Sequence, residues 1–467
     1  MIQWMDATAL LYSILPAIFF VIALWKKWSH ILILYFLCVA FRMPFGFNQP
    51  VLDYSSASNP FNIQLHSIIS LALLLILCVK LVRDRVIMPI MLIIPSTLYL
   101  IVSTALTGFT NTFFLLFFQY QVEHYALLLL LGFYIMREFQ ENESARFFLL
   151  CCISVLNVYT VFNVILKLVG GILSPSLIFS FKIFTYPNTN SNSTAEMLVF
   201  FALICLLFIR DHSSRVKRIA VLNVAACIVF VIVQGERGSW LGLLPILIFL
   251  AVIHLRRNKL RKGHIIAGCL MAIAVLSCLV IYVAKTVLNS NVASFFIHNY
   301  DNFRHYYMDY ALKLIGNNPL FGNGVGIVSP YSIQLLDGRA AAQFASSVDA
   351  SSGTPAFESW STWSTLSMNA HNIIGQFTEV YGVVGAALYF LPAAFVLVLA
   401  FAILRSAKLG GRAIVEPYYA ALALVAMFTA FLINMFGFDI YPVFTLCVGL
   451  LLGKLFPVWQ EKVVDRA

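Results

Sequence analysis

Three side chains in polar stretches of this chain have the chemistry needed to hold an anion and to move a proton. They are Arg237, Arg304 and His371. A guanidinium binds anionic oxygens through a planar fork of N–H donors, and a neutral imidazole can accept a proton near neutral pH. A fold that brings these residues together would bind an anion and deprotonate a second group beside it.

Arg237 lies in Gly235-Glu236-Arg237-Gly238-Ser239, a short break between two apolar runs. An arginine near a membrane is costly and usually faces a partner or a water-filled cavity. One interpretation is an anion clamp, in which the glycines let the backbone approach a ligand and Ser239 caps the following helix. The alternative is an ion pair between Arg237 and Glu236, or a guanidinium that reaches the lipid headgroups.

Arg304 lies in the longest polar interval of the chain, between Thr286 and Asn372. Apolar and aromatic residues recur there at helical spacing and predict an amphipathic helix that carries Arg304 and Tyr307. The interval holds three Lys or Arg residues and five Asp or Glu residues, so it is not a general surface for polyanions. Arg304 is either a surface residue paired with Asp301 or an anion-binding group on an aromatic platform.

His371 comes directly before Asn372 and the start of an apolar run. The dipole of a helix that begins there disfavours the protonated imidazole, which leaves a neutral base. The alternative is a structural histidine at a helix end. The polar intervals that we place on the outer face hold no Asp-x-Asp, Glu-x-x-His or His/Cys cluster, so we predict no metal and no cofactor.

The composition predicts that a membrane surrounds the chain. Of its 467 residues, 61% are hydrophobic and 11% are charged, whereas a soluble domain carries about 25% charged residues. We predict an all-α polytopic bundle of about 12 or 13 spans with one large external loop that contains short amphipathic helices. Apolar runs of sufficient length lie at 7–25, 30–46, 63–82, 86–107, 111–136, 146–171, 196–210, 218–233, 239–255, 264–285, 373–404, 414–436 and 440–457.

Basic residues predict the orientation of these spans, because Lys and Arg concentrate in cytoplasmic loops. Alternate intervals hold 22 of the 30 Lys and Arg residues, which accounts for the net charge of +10 without nucleic acid. Thirteen spans place the N-terminus outside and twelve place it inside. Both leave the 286–372 loop outside, between a bundle of about ten spans in 1–285 and the C-terminal spans in 373–467.

Four sequence blocks in this order resemble the O-antigen ligase and polysaccharide polymerase superfamily. They are Gly-Glu-Arg-Gly-Ser-Trp-Leu-Gly at 235–242, the helical segment with Arg304, Asn-Pro-Leu-Phe-Gly-Asn-Gly-Val-Gly at 318–326, and Ala-His-Asn-x₆-Glu-x-x-Gly-x-x-Gly at 370–385. The resemblance covers about 234–385. Outside these blocks the spans match only in being apolar.

The resemblance implies a metal-independent, inverting glycosyltransferase with a GT-C-like, all-helical membrane fold. Its donor would be a glycan on undecaprenyl pyrophosphate, and its active site would lie on the outer face of the bacterial inner membrane. The family's two arginines fall on Arg237 and Arg304, and its histidine falls on His371. Glu236 departs from the pattern, because many members have a small or hydroxyl residue there, and a carboxylate weakens the positive field of the clamp.

Further residues are candidates for substrate binding. Trp360 and Trp363 could stack on sugar faces, although a tryptophan in such a loop also serves as an interfacial anchor. The remaining candidates are Glu236, Tyr307 and Asn372.

Three alternative functions remain open at this point. A repeat-unit polymerase would use the same donor and another lipid-linked glycan as acceptor; the His-Asn block and the order of the arginines favour the ligase. A flippase or transporter of lipid-linked oligosaccharides would need charged residues deep in the spans, where Glu123, Glu379 and Glu416 form no continuous path. A structural scaffold would leave the polar blocks unexplained.

The charge distribution predicts that a cysteine placed at Ser351 is reached from outside the cell. In a variant whose native cysteines are replaced, Ser351→Cys should react with a membrane-impermeant maleimide in intact cells. Labelling that occurs only after the cytoplasm is opened would contradict both the topology and an external site.

Overall fold

The structure, a computed structural model, describes residues 65–107, 117–139, 142–173, 191–234, 237–257, 315–316, 319–322, 373–410, 415–434 and 441–460. These ranges are helical apart from short connections and contain no strand, which confirms the all-α prediction. The predicted runs 7–25, 30–46 and 264–285 lie outside the described residues. Each of the other runs coincides with a helix or a pair of helices.

The helices follow the apolar runs closely, with differences at their ends and at one bend. In chain order they are α1 Leu65–Arg83, α2 Met88–Thr107, a π-helical segment Phe117–Leu127 that leads into α3 Leu128–Phe139, α4 Glu143–Leu173, α5 Ser191–Leu206, α6 Ser214–Gln234, α7 Arg237–Arg257, α8 Ile373–Tyr389, α9 Leu391–Gly410, α10 Val415–Asn434 and α11 Tyr441–Trp459.

Helix α5 is the centre of the described bundle. Every residue from Ala195 to Leu206 is at most 4% exposed, and the helix packs against α6, α7, α10 and α11. A helix that is apolar around its whole circumference must be covered on all sides. Helices α7 and α10 are therefore both packed on a common central element.

Two helix pairs show how this bundle is joined. Helices α3 and α11 approach closely at glycines: a Cβ on Gly132 would lie 2.6 Å from the carbonyl oxygen of Leu446, and one on Gly449 would lie 2.3 Å from that of Leu129. Between α4 and α6, Asn223 accepts from Asn157 at 3.1 Å and donates to a backbone carbonyl. Small residues and buried polar pairs are the usual joints between membrane helices.

The outside of the bundle is apolar. Val79 of α1, Val155 of α4, Leu222 of α6 and Phe401 of α9 are 67%, 67%, 68% and 61% exposed. Apolar surface this extensive marks an interaction surface, either a partner or lipid. Several helices contribute to it, as expected for a bundle surrounded by a bilayer.

Within the described residues, no single helix meets the length and hydropathy required to cross a membrane. One pair does so by length and composition alone: Tyr381–Tyr389 and Leu391–Ser406, which are bent by 44° relative to each other.

Basic residues of the set that we assign to the cytoplasm gather at one end of the bundle. The Arg146 Nε lies 2.8 Å from the Asp211 Oδ2, and these side chains are only 15% and 9% exposed. The Arg210 guanidinium lies 4.5 Å from the centroid of the Tyr418 ring. Lys454 lies within electrostatic range of both Arg146 and Asp211. Residues from four separate segments thus share one end, as a common cytoplasmic location requires.

We expect Asp211→Asn to lower the free energy of unfolding by about 3 kcal/mol, because it leaves the buried Arg146 guanidinium without its carboxylate. SDS titration in mixed micelles measures this change. Asp84→Asn is the matched control: Asp84 is 34% exposed and its contacts with Arg83 and Arg137 are 3.8 and 3.9 Å, so its loss should cost less than about 1 kcal/mol. Equal effects of the two substitutions would contradict the interpretation.

Candidate active site

The predicted site side chains lie outside the described part of the chain, and the structure describes the elements next to them in the sequence. Arg237 is the first residue of α7, and its side chain lies outside the described part. The other predicted residues also lie outside it: Glu236, Arg304, Tyr307, Trp360, Trp363, His371 and Asn372. The geometry available is that of the first turn of α7, the turn Pro319–Gly322, and helix α8, which begins one residue after Asn372.

The first turn of α7 is fixed against its neighbours. The Trp240 indole N–H donates to the carbonyl of Val231 in α6 at 3.1 Å, and Trp240 is 3% exposed. On α10, the side chain of Ile433 packs so tightly on Gly242 that a Cβ there would lie 2.5 Å from it. The backbone of Arg237 is thereby held at a helix N-terminus, where unpaired N–H groups and the helix dipole also favour an anion.

The capping role expected for Ser239 is wrong. The helix begins at Arg237, so Ser239 lies within the first helical turn rather than before it. Its side chain is fully buried, and its Oγ has no hydrogen-bond partner among the residues that the structure describes. The apolar run that follows Ser239 in the sequence suggested a later start than the helix has, because the helix incorporates the polar residues before that run.

The Asn-Pro-Leu-Phe-Gly block folds back onto the bundle, where α2 and α8 hold three successive backbone carbonyls. The Val383 N–H of α8 donates to the carbonyl of Pro319 at 2.8 Å. The Tyr99 hydroxyl of α2 donates to the carbonyl of Leu320. The Ser103 hydroxyl, one helical turn further along α2, donates to the carbonyl of Phe321. The rings of Tyr99 and Phe321 are stacked, with 6.2 Å between centroids and 10° between planes.

A kink in α8 makes room for this turn. Gly382 has φ 69° and ψ 176°, which interrupts the helix, and a Cβ there would lie 2.1 Å from the Leu320 carbonyl oxygen. One turn later, a Cβ on Gly385 would lie 2.6 Å from the Tyr99 ring. Both glycines belong to the Glu-x-x-Gly-x-x-Gly block. Two blocks that are far apart in sequence are therefore in direct contact.

Below the kink, α8 rests on a stack of buried aromatic rings. The centroid of the Phe377 ring lies 3.9 Å from that of Tyr389. The Tyr125 ring contacts the same Tyr389 ring, with 4.1 Å between centroids. The Tyr125 hydroxyl also donates to the Tyr389 carbonyl at 3.0 Å. Phe377, Tyr381 and Tyr389 are each 3% exposed. The stack holds α8, the helix that follows His371 in the sequence, against the bundle.

The sequence analysis missed three residues: two that the structure places at these supports, and one that it buries in α5. Tyr99 and Ser103 are four residues apart in an apolar run, hence on one helix face, and this spacing was the available signal. Glu196 was taken as the first residue of a span, yet it is 4% exposed inside α5. A buried carboxylate is costly unless it is paired, so its position at the start of that span was also informative.

Residues 222–390 match a protein-family model described as O-antigen ligase. The matched segment runs from α6 to the break after α8, and it includes Arg237, Arg304, His371 and the turn Pro319–Gly322. A search of curated proteins finds no match. The matched part is less than half of the chain.

The matched model describes a bacterial membrane protein family of polysaccharide biosynthesis whose members use lipid-linked glycans, and residues 222–390 of this chain are similar to it. The match confirms the predicted resemblance to the O-antigen ligase and polysaccharide polymerase superfamily.

Proposed function

We propose that the chain is an O-antigen ligase-type glycosyltransferase of the inner membrane. It would transfer a glycan from undecaprenyl pyrophosphate to an acceptor sugar on the outer face, by a metal-independent, inverting reaction. The observation that carries this proposal is the extent of the family match, which spans all three candidate catalytic residues in one segment. The contact between the third and fourth motif blocks supports it, because it joins the parts of that segment that flank the 323–372 stretch.

The proposed reaction needs a leaving group held by cations and an activated hydroxyl. The acceptor oxygen attacks the anomeric carbon from the face opposite the pyrophosphate, so a new C–O bond forms while the bond to pyrophosphate breaks. Arg237 and Arg304 bind the pyrophosphate and stabilise the charge that develops on it. His371 takes the proton of the acceptor hydroxyl. The products are the glycosylated acceptor and undecaprenyl pyrophosphate.

The other proposed residues surround these groups. Tyr307 follows Arg304 by three residues and, on the predicted helix, would complete an aromatic platform beside the donor. Trp360 and Trp363 would stack on sugar rings, and Asn372 would orient a hydroxyl next to His371. Glu236 would bind a sugar hydroxyl and moderate the positive charge of Arg237.

We expect Arg237→Lys and Arg304→Lys each to lower the transfer rate about 10²–10³-fold, equivalent to about 2.7–4 kcal/mol, because lysine keeps the charge but lacks the planar fork. The assay is transfer in proteoliposomes, with total lipid-linked glycan extracted from the bacterium that encodes the chain. Arg218→Lys is the control, since within the described residues the Arg218 Nε donates to the carbonyl of Ser214 in its own helix. Near-normal transfer by both site variants would show that the clamp is wrong.

We expect His371→Gln to abolish turnover while leaving donor binding intact. A general base contributes roughly 10²–10⁴-fold, so the rate at saturating donor should fall by that factor, whereas the Kd for undecaprenyl pyrophosphate should change little. Isothermal titration in detergent and single-turnover transfer measure the two quantities. A loss of only a few-fold in saturated turnover, or a loss confined to binding, would remove His371 from the base role.

A further inference from the structure

We propose that helix α2, which lies outside the segment that matches the ligase family, supplies a binding surface, here called the seat, for the turn Pro319–Gly322 of the 286–372 loop. The seat consists of Tyr99 and Ser103 on α2 together with the kink at Gly382 on α8. Tyr99 and Ser103 are positioning residues: they act on the reaction through the turn Pro319–Gly322. This inference rests on the proposed function, in that it names what holds the proposed site together.

The hydrogen bonds to the turn distinguish the seat from an ordinary packing contact. Three successive carbonyls, those of Pro319, Leu320 and Phe321, each accept a hydrogen bond from a different donor of the bundle. Such a set fixes the direction of the backbone as well as its location. Ser103 is fully buried and Gly322 is buried, so part of the seat is out of contact with solvent. Gly322, the last described residue of the turn, has a left-handed φ of 71°.

The kink of α8 is complementary to the turn. Without it, the Val383 N–H would point along the helix toward the carbonyl four residues earlier. At Gly382 the helical path is broken, and this N–H points at Pro319 instead. The space beside Gly382 is occupied by the Leu320 carbonyl, which leaves no room for a side chain. The kink at Gly382 and the position of the turn Pro319–Gly322 therefore depend on each other.

The position of the seat in the sequence gives it a role in catalysis. The turn follows Arg304 by 15 residues, and Gly382 follows His371 by 11 residues. The seat therefore ties the segment that carries an anion-binding arginine to the helix that follows the base. A shift of about 1 Å in such a constellation can cost on the order of 100-fold in rate. The donor groups of α2 would set the distance between the two parts of the site.

The test uses Tyr99→Phe combined with Ser103→Ala, which removes both hydroxyl donors and keeps the ring that stacks on Phe321. We expect kcat for transfer from the extracted lipid-linked glycan to fall about 10- to 100-fold, with the KM for donor changed less than about threefold. The matched control is Tyr418→Phe combined with Ser406→Ala. These residues also donate hydroxyls to backbone carbonyls, at 2.7 and 2.9 Å, but away from the seat, so kcat should stay within about twofold.

A second measurement follows the seat without activity. Hydrogen exchange read by mass spectrometry should show faster exchange in peptides that cover 381–386 in the seat variant, because the Val383 N–H loses its fixed acceptor. The control variant should exchange there at the normal rate. Unchanged exchange in the seat variant would overturn the proposed geometry.

Gly382→Ala provides a third, steric disruption of the seat. Gly316→Ala is its control, because no atom of the described residues lies within 4 Å of a Cβ at Gly316. We expect the Gly382 variant to lose transfer by at least the factor seen for the double variant, and the Gly316 variant to remain active. An active Gly382→Ala enzyme would contradict the seat.

The outcomes separate this inference from the proposed function. If the wild-type protein transfers glycan and the seat variant does so at the same kcat, the positioning role is wrong and the transferase stands. If exchange changes as expected but the wild-type protein transfers no glycan, the seat stands as a structural contact and the proposed function fails.

Discussion

The described structure depends on one constraint: a backbone polar group surrounded by apolar side chains must have a hydrogen-bond partner. Helices meet this requirement internally, whereas a kink or a turn does not. At Gly382 the kink leaves an N–H to be satisfied, and the turn Pro319–Gly322 brings three carbonyls to the bundle. The two irregular segments satisfy each other with the help of two hydroxyls from α2. The contact lies about 14 Å along α8 from its start. Gly322 and Gly382 are buried there, whereas Leu320, Phe321 and Val383 are 57%, 44% and 54% exposed.

This contact is useful only if the helices beneath it do not move. Between helices in lipid there is little hydrophobic driving force, so close steric fit and polar contacts determine the packing. The glycines of α3 and α11 provide the first, and the Asn157–Asn223 pair of α4 and α6 provides the second. The aromatic stack packs α8, and with it the kink, against this rigid set of helices. The polar blocks of the sequence therefore rest on a frame whose own residues carry none of the proposed chemistry.

The sequence predicted the helices well, because the length and hydropathy of an apolar run are local properties. It could not predict the bend within the 373–404 run, at Gly382 and Phe390, because that bend depends on the turn that packs there. The start of α7 was also misplaced, because the contacts that anchor Trp240 on α6 and Gly242 on α10 cannot be read from the local sequence. Tyr99 and Ser103 look like ordinary span residues until their partners are known. The catalytic roles of Arg304 and His371 stay predictions.

The choice between ligase and polymerase can be located within the proposed site. Both reactions break the same bond between a sugar and pyrophosphate, so they make the same demands on the arginines. They differ in the acceptor, which is a lipid-anchored core in one case and a second lipid-linked glycan in the other. Residues that distinguish the two must therefore lie beside the base and not beside the clamp. Under the proposed function the acceptor side would comprise Trp360, Trp363 and Asn372, whereas the seat on α2 would serve either reaction, because it would fix only the distance between the clamp and the base.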